Sequence, residues 1–339
     1  MAVTLLRIEP SPIALRRHGE LAHPERAVAR NEAIKVFRGV YADAAEWKEL
    51  APWERYLARV HAVALLHPDA VFTHESAAAL LGLPVMGDPL TVHVLDAATA
   101  TARAVGGMRV HTGRGERELV ELGGILLTSP VETAVDMARY RHAALGLAVA
   151  DAVLRMLPDV TAEGMTARNE GRVSSRGRNL ARWPLRNANS ESASTLESFS
   201  RAIIEWLGFP APLLQTTFRT GQLEDRTDFH WEGCSVVGEA DGDIKYDGSL
   251  GDPIAALHDR RDRDARLRTH VRIVTHWDWA EATTFAPLRD ILFGAGVPLV
   301  GPESTVPLHS LKRLYAPTLS REHTRRTRQR GAPAFSSVR

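Results

Sequence analysis

Cysteine is almost missing from this chain: Cys234 is the one thiol in 339 residues. No disulfide can close within the chain, and no cysteine-built zinc site can form. That scarcity fits a reducing compartment, and a cytoplasmic protein is expected. Long apolar runs are missing too, so no segment reads as a membrane-crossing helix and no membrane partner is expected. The N-terminus carries Arg7, Glu9, Arg16 and Arg17 where a signal peptide would need an apolar stretch and a small-residue cleavage site. Neither sign of charge is in excess: 42 Lys and Arg against 41 Asp and Glu leave +1. Attraction to a polyanion must therefore come from local patches. No G-x-S-x-G elbow is present, which argues against an esterase-type serine hydrolase.

What is present can fold. The chain is 44% hydrophobic and 24% charged, enough for real cores, and its length suggests two or three domains. Ser11 to His18 reads as a short helix with Ser11 as cap and Pro12 at its first position. Pro24 to Arg30 reads as a second helix. Ala33 to Tyr41 alternates as a strand through Ile34, Lys35, Val36 and Phe37. Helix, helix and basic strand together suggest a small winged helix, with Arg26, Arg30, Lys35 and Arg38 as a phosphate-contacting surface.

Glu46 to His67 has helical spacing of Leu50, Trp53, Tyr56, Leu57, Val60 and Val63. Trp47, Trp53, Trp206 and Trp231 are expected in the core. His74 to Leu81 reads as a short helix, with His74 as a structural cap beside Ser76. Leu90 to Leu95, Arg109 to His111 and Gly124 to Leu127 read as strands, and Pro130 to Tyr140 and His142 to Leu157 as helices. Asp96 is expected in a turn and Asp136 on a helix face. Arg168, Arg172, Arg176, Arg178, Arg182 and Arg186 stand against the single acid Glu170. They read as a solvated linker in preference to a phosphate-contacting strip. The tail from Lys312 to Arg339 holds eight Lys and Arg and one acid, Glu322, and has a disordered composition.

From Ser190 the order is helix, three strands, helix, strand. Thr227 to Trp231 and Ser235 to Asp241 are expected as adjacent antiparallel strands around a turn at Glu232-Gly233. Glu239 and Asp241 lie two apart and share a face, and Asp228 comes opposite them. Three acids inside apolar strands repel one another unless something positive compensates. A divalent cation is the economical answer, and Mg²⁺ suits hard oxygen ligands. Glu197 is a fourth candidate acid, and Lys245 a candidate to neutralise charge at a phosphate. The competing reading is an ordinary acidic hairpin.

Residues 190 to 280 resemble a C-terminal domain of a large actinobacterial family. That domain is related to the very-short-patch-repair endonuclease and to the PD-(D/E)XK nuclease-like superfamily. The resemblance is carried by Ser190-Glu191-Ser192, Glu197-Ser198, Arg201, Gly208-Phe209-Pro210, Thr227-Asp228-Phe229, Gly238-Glu239-Ala240-Asp241-Gly242 and Lys245-Tyr246. The helix with Arg261, Arg263 and Arg266 and the strand end Thr275-His276-Trp277 match as well. The front half is similar to the AbiEi-type antitoxin and regulator architecture. That likeness rests on Phe37-Arg38-Gly39-Val40-Tyr41, Thr73-His74-Glu75-Ser76-Ala77, Leu83-Pro84, Thr128-Ser129-Pro130, Thr133 and Val135-Asp136-Met137-Ala138.

The resemblance implies metal-carboxylate positions at Asp228 and Glu239. Asp241 stands where many nucleases of the superfamily carry lysine, and the helix before Arg16 is short for a winged helix. The whole is expected to be an α/β protein. A degenerate winged helix (1–45) leads into a small α+β domain (46–165) and an Arg-rich linker (166–189). A mixed-sheet nuclease-like domain (190–300) and a basic tail (301–339) follow. Three functions compete. The first is a DNA-binding regulator of antitoxin type, with DNA and a toxin or regulatory protein as partners. The second is a Mg²⁺-dependent endonuclease, and the third an interaction protein with idle carboxylates. The acidic pair Asp228/Glu239 favours the enzyme; the absent lysine at 241 favours the regulator.

Overall fold

The computed structural model describes residues 6–96, 101–113, 117–241 and 253–315. The chain starts with β1 (Arg16–Arg17), α1 (Pro24–Ala29), β2 (Ala33–Phe37), β3 (Val40–Asp43), α2 (Ala44–Glu49) and α3 (Pro52–Leu66). β1, β3 and β2 form a small antiparallel sheet. The stretch expected as one strand is thus a hairpin, because Gly39 at φ +77° reverses the chain there. The expected helix over Ser11 to His18 does not form. The Ser11 hydroxyl donates to the Ile13 carbonyl and holds a bend in its place. The expected long helix 46–67 is two: Asp43 caps α2 through the amides of Ala45 and Glu46, and Pro52 opens α3. Val36, Val40, Ala42, Trp47, Ala58 and Ala62 pack together beneath this sheet. Trp53, expected in the core, is 56% exposed.

The middle of the chain runs β4 (Val71–Phe72), α4 (His74–Leu80), β5 (Val92–Asp96), β6 (Arg103–Val105), β7 (Met108–Thr112), β8 (Leu119–Leu122) and β9 (Ile125–Thr128). Their sheet has the order β6-β7-β5-β4-β9-β8 and mixes parallel and antiparallel pairs. Four helices follow: α5 (Pro130–Tyr140), α6 (Ala143–Met156), α7 (Ala162–Gly171) and α8 (Arg178–Arg186). Ser129 caps α5 with Pro130 at its first position.

Residues 166–189 are not a linker. α7 packs on α5, and α8 packs on both α5 and α6. Met165, Ala181 and Leu185 are fully buried there. Arg172 reaches inward to Asp136 at 2.5 Å and also pairs with Glu132. These two carboxylates are buried on α5, so the arginine serves packing and charge balance instead of standing in water. Asp136, expected on a helix face, lies on α5 with its carboxylate buried.

The rest comprises α9 (Thr195–Trp206), β10 (Leu213–Thr220), β11 (Leu223–Trp231), β12 (Val236–Ala240), α10 (Pro253–Leu267) and β13 (Ile273–Trp277). α11 (Trp279–Thr284), α12 (Ala286–Ala295) and α13 (Thr305–Tyr315) complete it. The sheet order is β10-β11-β12-β13, antiparallel until β13 joins β12 in parallel after the crossover through α10. This is the helix–three strands–helix–strand order read from the sequence. Leu308 and Leu311 of α13 are buried, so the part of the expected tail up to residue 315 is packed helix; residues 316–339 lie outside the described residues. One apolar core runs from Tyr56 through Leu147, Phe199 and Trp277 to Leu311. The expected boundary near residue 165 therefore does not separate two cores. Asp151 of α6 fastens across it, accepting from Ser198 Oγ at 2.6 Å, from Arg201 at 2.9 Å and from the Asn189 amide at 2.7 Å.

Candidate functional site

The acids singled out from the sequence gather at one face of the β10–β13 sheet, under α10. Glu197 sits in the first turn of α9, whose cap is Ser194. Its carboxylate accepts from the Ala193 amide at 2.7 Å and from Gln215 Nε2 at 2.9 Å. Asp228 lies on β11 where the ladder to β12 ends: the last registered pair is Phe229 with Gly238. Beyond it, the Asp228 carboxylate takes the Ala240 amide at 2.9 Å, in the place of a backbone carbonyl. Continuing that register sets Asp228 opposite Glu239, and β13 sets His276 against Glu239 from the other side. Asp241 follows β12 and accepts from His276 Nδ1 at 3.0 Å.

The sequence reading missed what neutralises these acids. Arg263 donates to Glu239 at 3.0 Å and to the Arg226 carbonyl at 2.5 Å. Arg260 lies 2.7 Å from Asp241. Asp264 holds the far nitrogen of His276 at 3.1 Å. The helical spacing of 260, 263 and 264 is the signal that could have found this, because those positions share one face of α10. Gln215 had no such signal. Its backbone is left-handed, φ +51°, within a strand, and this aims its amide between Glu197 and Asp228, 3.3 Å from the latter. Lys245 lies outside the described residues.

Burial dominates the electrostatics here. It raises the Glu239 carboxyl to about 8, helped by the charges of Asp228 and Asp241 and opposed by Arg263 and His276. Burial also raises Asp228, and it raises Glu197 with help from the Asp228 charge. His276 goes up in spite of burial, because Asp241 hydrogen-bonds its ring. The result is a patch of hard oxygen donors on the sheet face that also carries buried Val237, closed on the α10 side by two guanidinium groups. Among the described residues, the group whose ligand atoms all lie within 4.8 Å of one another is not this one but His74, His93 and His111.

The four basic residues Arg26, Arg30, Lys35 and Arg38 are exposed on α1 and the β2–β3 hairpin. Arg30 has one loose partner, Glu32 at 3.9 Å. No helix among the described residues is long and apolar enough to cross a membrane.

Comparison with known proteins adds three findings. Residues 69–182 match the family described as AbiEi antitoxin C-terminal domain. Uncharacterized proteins from two strains of Mycobacterium tuberculosis are 32% identical over 210 residues, covering 61% of this chain and 72% of each of theirs. No solved structure matches.

Proposed function

We propose, since the chain belongs to the family of these uncharacterized mycobacterial proteins, that it is a DNA-binding regulator of antitoxin type. The match of residues 69–182 to the AbiEi antitoxin C-terminal domain carries this reading. In it, the α1 and β2–β3 unit is a reduced winged helix whose Arg26, Arg30, Lys35 and Arg38 contact phosphates. A toxin protein is the second partner that the antitoxin likeness suggests. Duplex affinity measured against salt tests the DNA reading. Replacing Lys35 and Arg38 by alanine should weaken binding and lower the slope of log K against log salt by about 2, since two fewer phosphates are neutralised. An unchanged slope in a variant that still binds would rule this surface out.

The C-terminal half, in this reading, is a PD-(D/E)XK-like frame that grips nucleic acid without cutting it. The donors suit a hard cation such as Mg²⁺, and Asp228 and Glu239 would hold it with Asp241 and Glu197 beside them. When bound, such an ion would polarise a phosphate and activate water. As folded, however, Arg263 is already paired with Glu239 and Arg260 with Asp241. The endonuclease remains a second reading because a carboxyl raised to about 8 is the kind of perturbed group that active sites collect. A plasmid-nicking assay with Mg²⁺ or Mn²⁺ decides between the two: nicking that disappears in Asp228→Ala establishes the enzyme, and no nicking supports the regulator.

A further inference from the structure

We propose that His74, His93 and His111 form a binding site for one divalent cation of the zinc class, separate from the carboxylate face. One imidazole nitrogen from each lies within 4.8 Å of the other two. His93 and His111 stand on neighbouring parallel strands, β5 and β7, and the alternation of the pleat puts both on one sheet face. His74 opens α4 above them. Nδ1 of His93 and Nε2 of His111 share a hydrogen bond of 2.8 Å, which an ion entering between them would replace.

The site carries an unmet demand. His74 Nε2 is buried and has no hydrogen-bond partner, while its ring is 2% exposed. Such an orphan costs free energy unless something binds it. The residue is also held at φ +52°, a conformation a histidine rarely adopts. Two of the three rings are backed by carboxylates on the nitrogen away from the cluster. Asp136 lies 3.9 Å from His74 Nδ1, with Thr73 Oγ1 3.2 Å from the same atom, and Glu75 lies 3.7 Å from His93 Nε2. At His74 the acid is relayed through Thr73 Oγ1, which donates to Asp136 at 2.9 Å, the kind of outer partner that orients metal-bound histidines. Glu75, by contrast, stands beyond hydrogen-bond reach of His93. Arg117 and Arg172 balance Asp136, and Arg141 balances Glu75, so the acids add orientation more than net charge.

Burial lowers the affinity of all three rings for protons, to about 4 at His111. The imidazoles are therefore neutral at neutral pH, as ligands must be. A zinc ion about 2.0–2.1 Å from each nitrogen sets the nitrogens about 3.3 Å apart. Reaching that from the present cluster requires the stacked rings of His74 and His111, 4.0 Å between centroids, to turn apart. His111 is half-buried and gives the ion its way in. Three imidazoles with an open fourth position favour zinc, cobalt or nickel over Mg²⁺, which prefers oxygen ligands.

Co²⁺ titrated into the chelator-stripped full-length chain is the test. The expected result is one equivalent bound, a visible d–d absorption of low-coordinate cobalt, displacement by Zn²⁺ and a raised melting temperature. His111→Ala should lose the band and the stabilisation, while Asp228→Asn keeps both, which separates this site from the carboxylates. His111→Cys should retain binding and add a thiolate-to-cobalt charge-transfer band. No band in the wild type, or an equal band in His111→Ala, overturns the site. If His111→Ala fails to fold, the cysteine variant decides: folded without the charge-transfer band, it overturns the proposal as well.

Discussion

Glu239 shows how much a single position can carry. A carboxyl raised to about 8 in the fold and ordinary in the unfolded chain binds more protons folded than unfolded between about pH 4.5 and 8. The contribution of Glu239 to stability then falls as pH rises through that window and stays low above it. Glu239→Gln, which removes the charge and keeps the shape, should gain ~2 kcal/mol over wild type at pH 9 and nothing at pH 4. Urea midpoints at the two pH values, in chelator, measure it; equal gains at both would refute the burial argument. The acids themselves were legible in the sequence, because a charge inside an apolar alternation is anomalous wherever it occurs. Gln215 and the three histidines were not. A left-handed backbone leaves no mark on residue type when the residue is not glycine. His74, His93 and His111 come from segments far apart in the chain, which only the sheet brings together. Local sequence therefore suggests a cap at His74 beside Ser76, whereas Ser76 Oγ bonds Tyr56 and the His93 amide.

At the scale of elements, periodicity served best where one face was buried and the other wet. The β12 strand and the α5 and α6 helices emerge close to their expected limits, whereas β11 begins at Leu223, four residues before the expected Thr227. It failed where chain reversal or charge decided. Gly39 and Pro52 split elements that alternation alone joins, and the arginines of α7 and α8 looked solvated because their buried partners Glu132 and Asp136 lie on α5. Two outcomes follow from the packing of β12. Gly238 leaves room for aromatic rings: a Cβ there would lie 2.4 Å from Trp277 Cη2 and 3.1 Å from Trp231 Cζ3. Gly238→Ala should therefore cost about 1–3 kcal/mol by overpacking, read from a denaturant midpoint. On the opposite side, the double variant Arg260→Ala/Arg263→Ala frees Asp241 and Glu239. It should acquire a Mn²⁺-dependent rise in melting temperature larger than wild type shows. An equal response in both would mean that the arginines do not close the carboxylate face.

Across the whole molecule, the continuous core from α3 to α13 makes the two halves one cooperative body. Calorimetry should give one transition with equal calorimetric and van't Hoff enthalpies for this part of the chain; two resolved peaks would contradict the shared core. Asp151→Ala is the sharpest probe, because it strips a fully buried partner from Arg201 and Ser198. The loss should be ~3 kcal/mol. Sequence reasoning placed a boundary near residue 165 because composition changes there, but composition cannot show which apolar faces meet.

The Asp151 fastening also bears on how such a chain could change over generations. A carboxylate on α6 whose hydrogen bonds, among the described residues, come from α9 and the segment before it ties two stretches of the gene into one unit of inheritance. Exchanging either half for that of a distant relative would strand a buried charge unless the partner positions were exchanged with it. Variation in this lineage should therefore accumulate more freely at exposed positions of the α1 and β2–β3 unit other than the proposed phosphate contacts Arg26, Arg30, Lys35 and Arg38, because that unit packs on its own small core. Across the α6–α9 seam it should move only in matched steps.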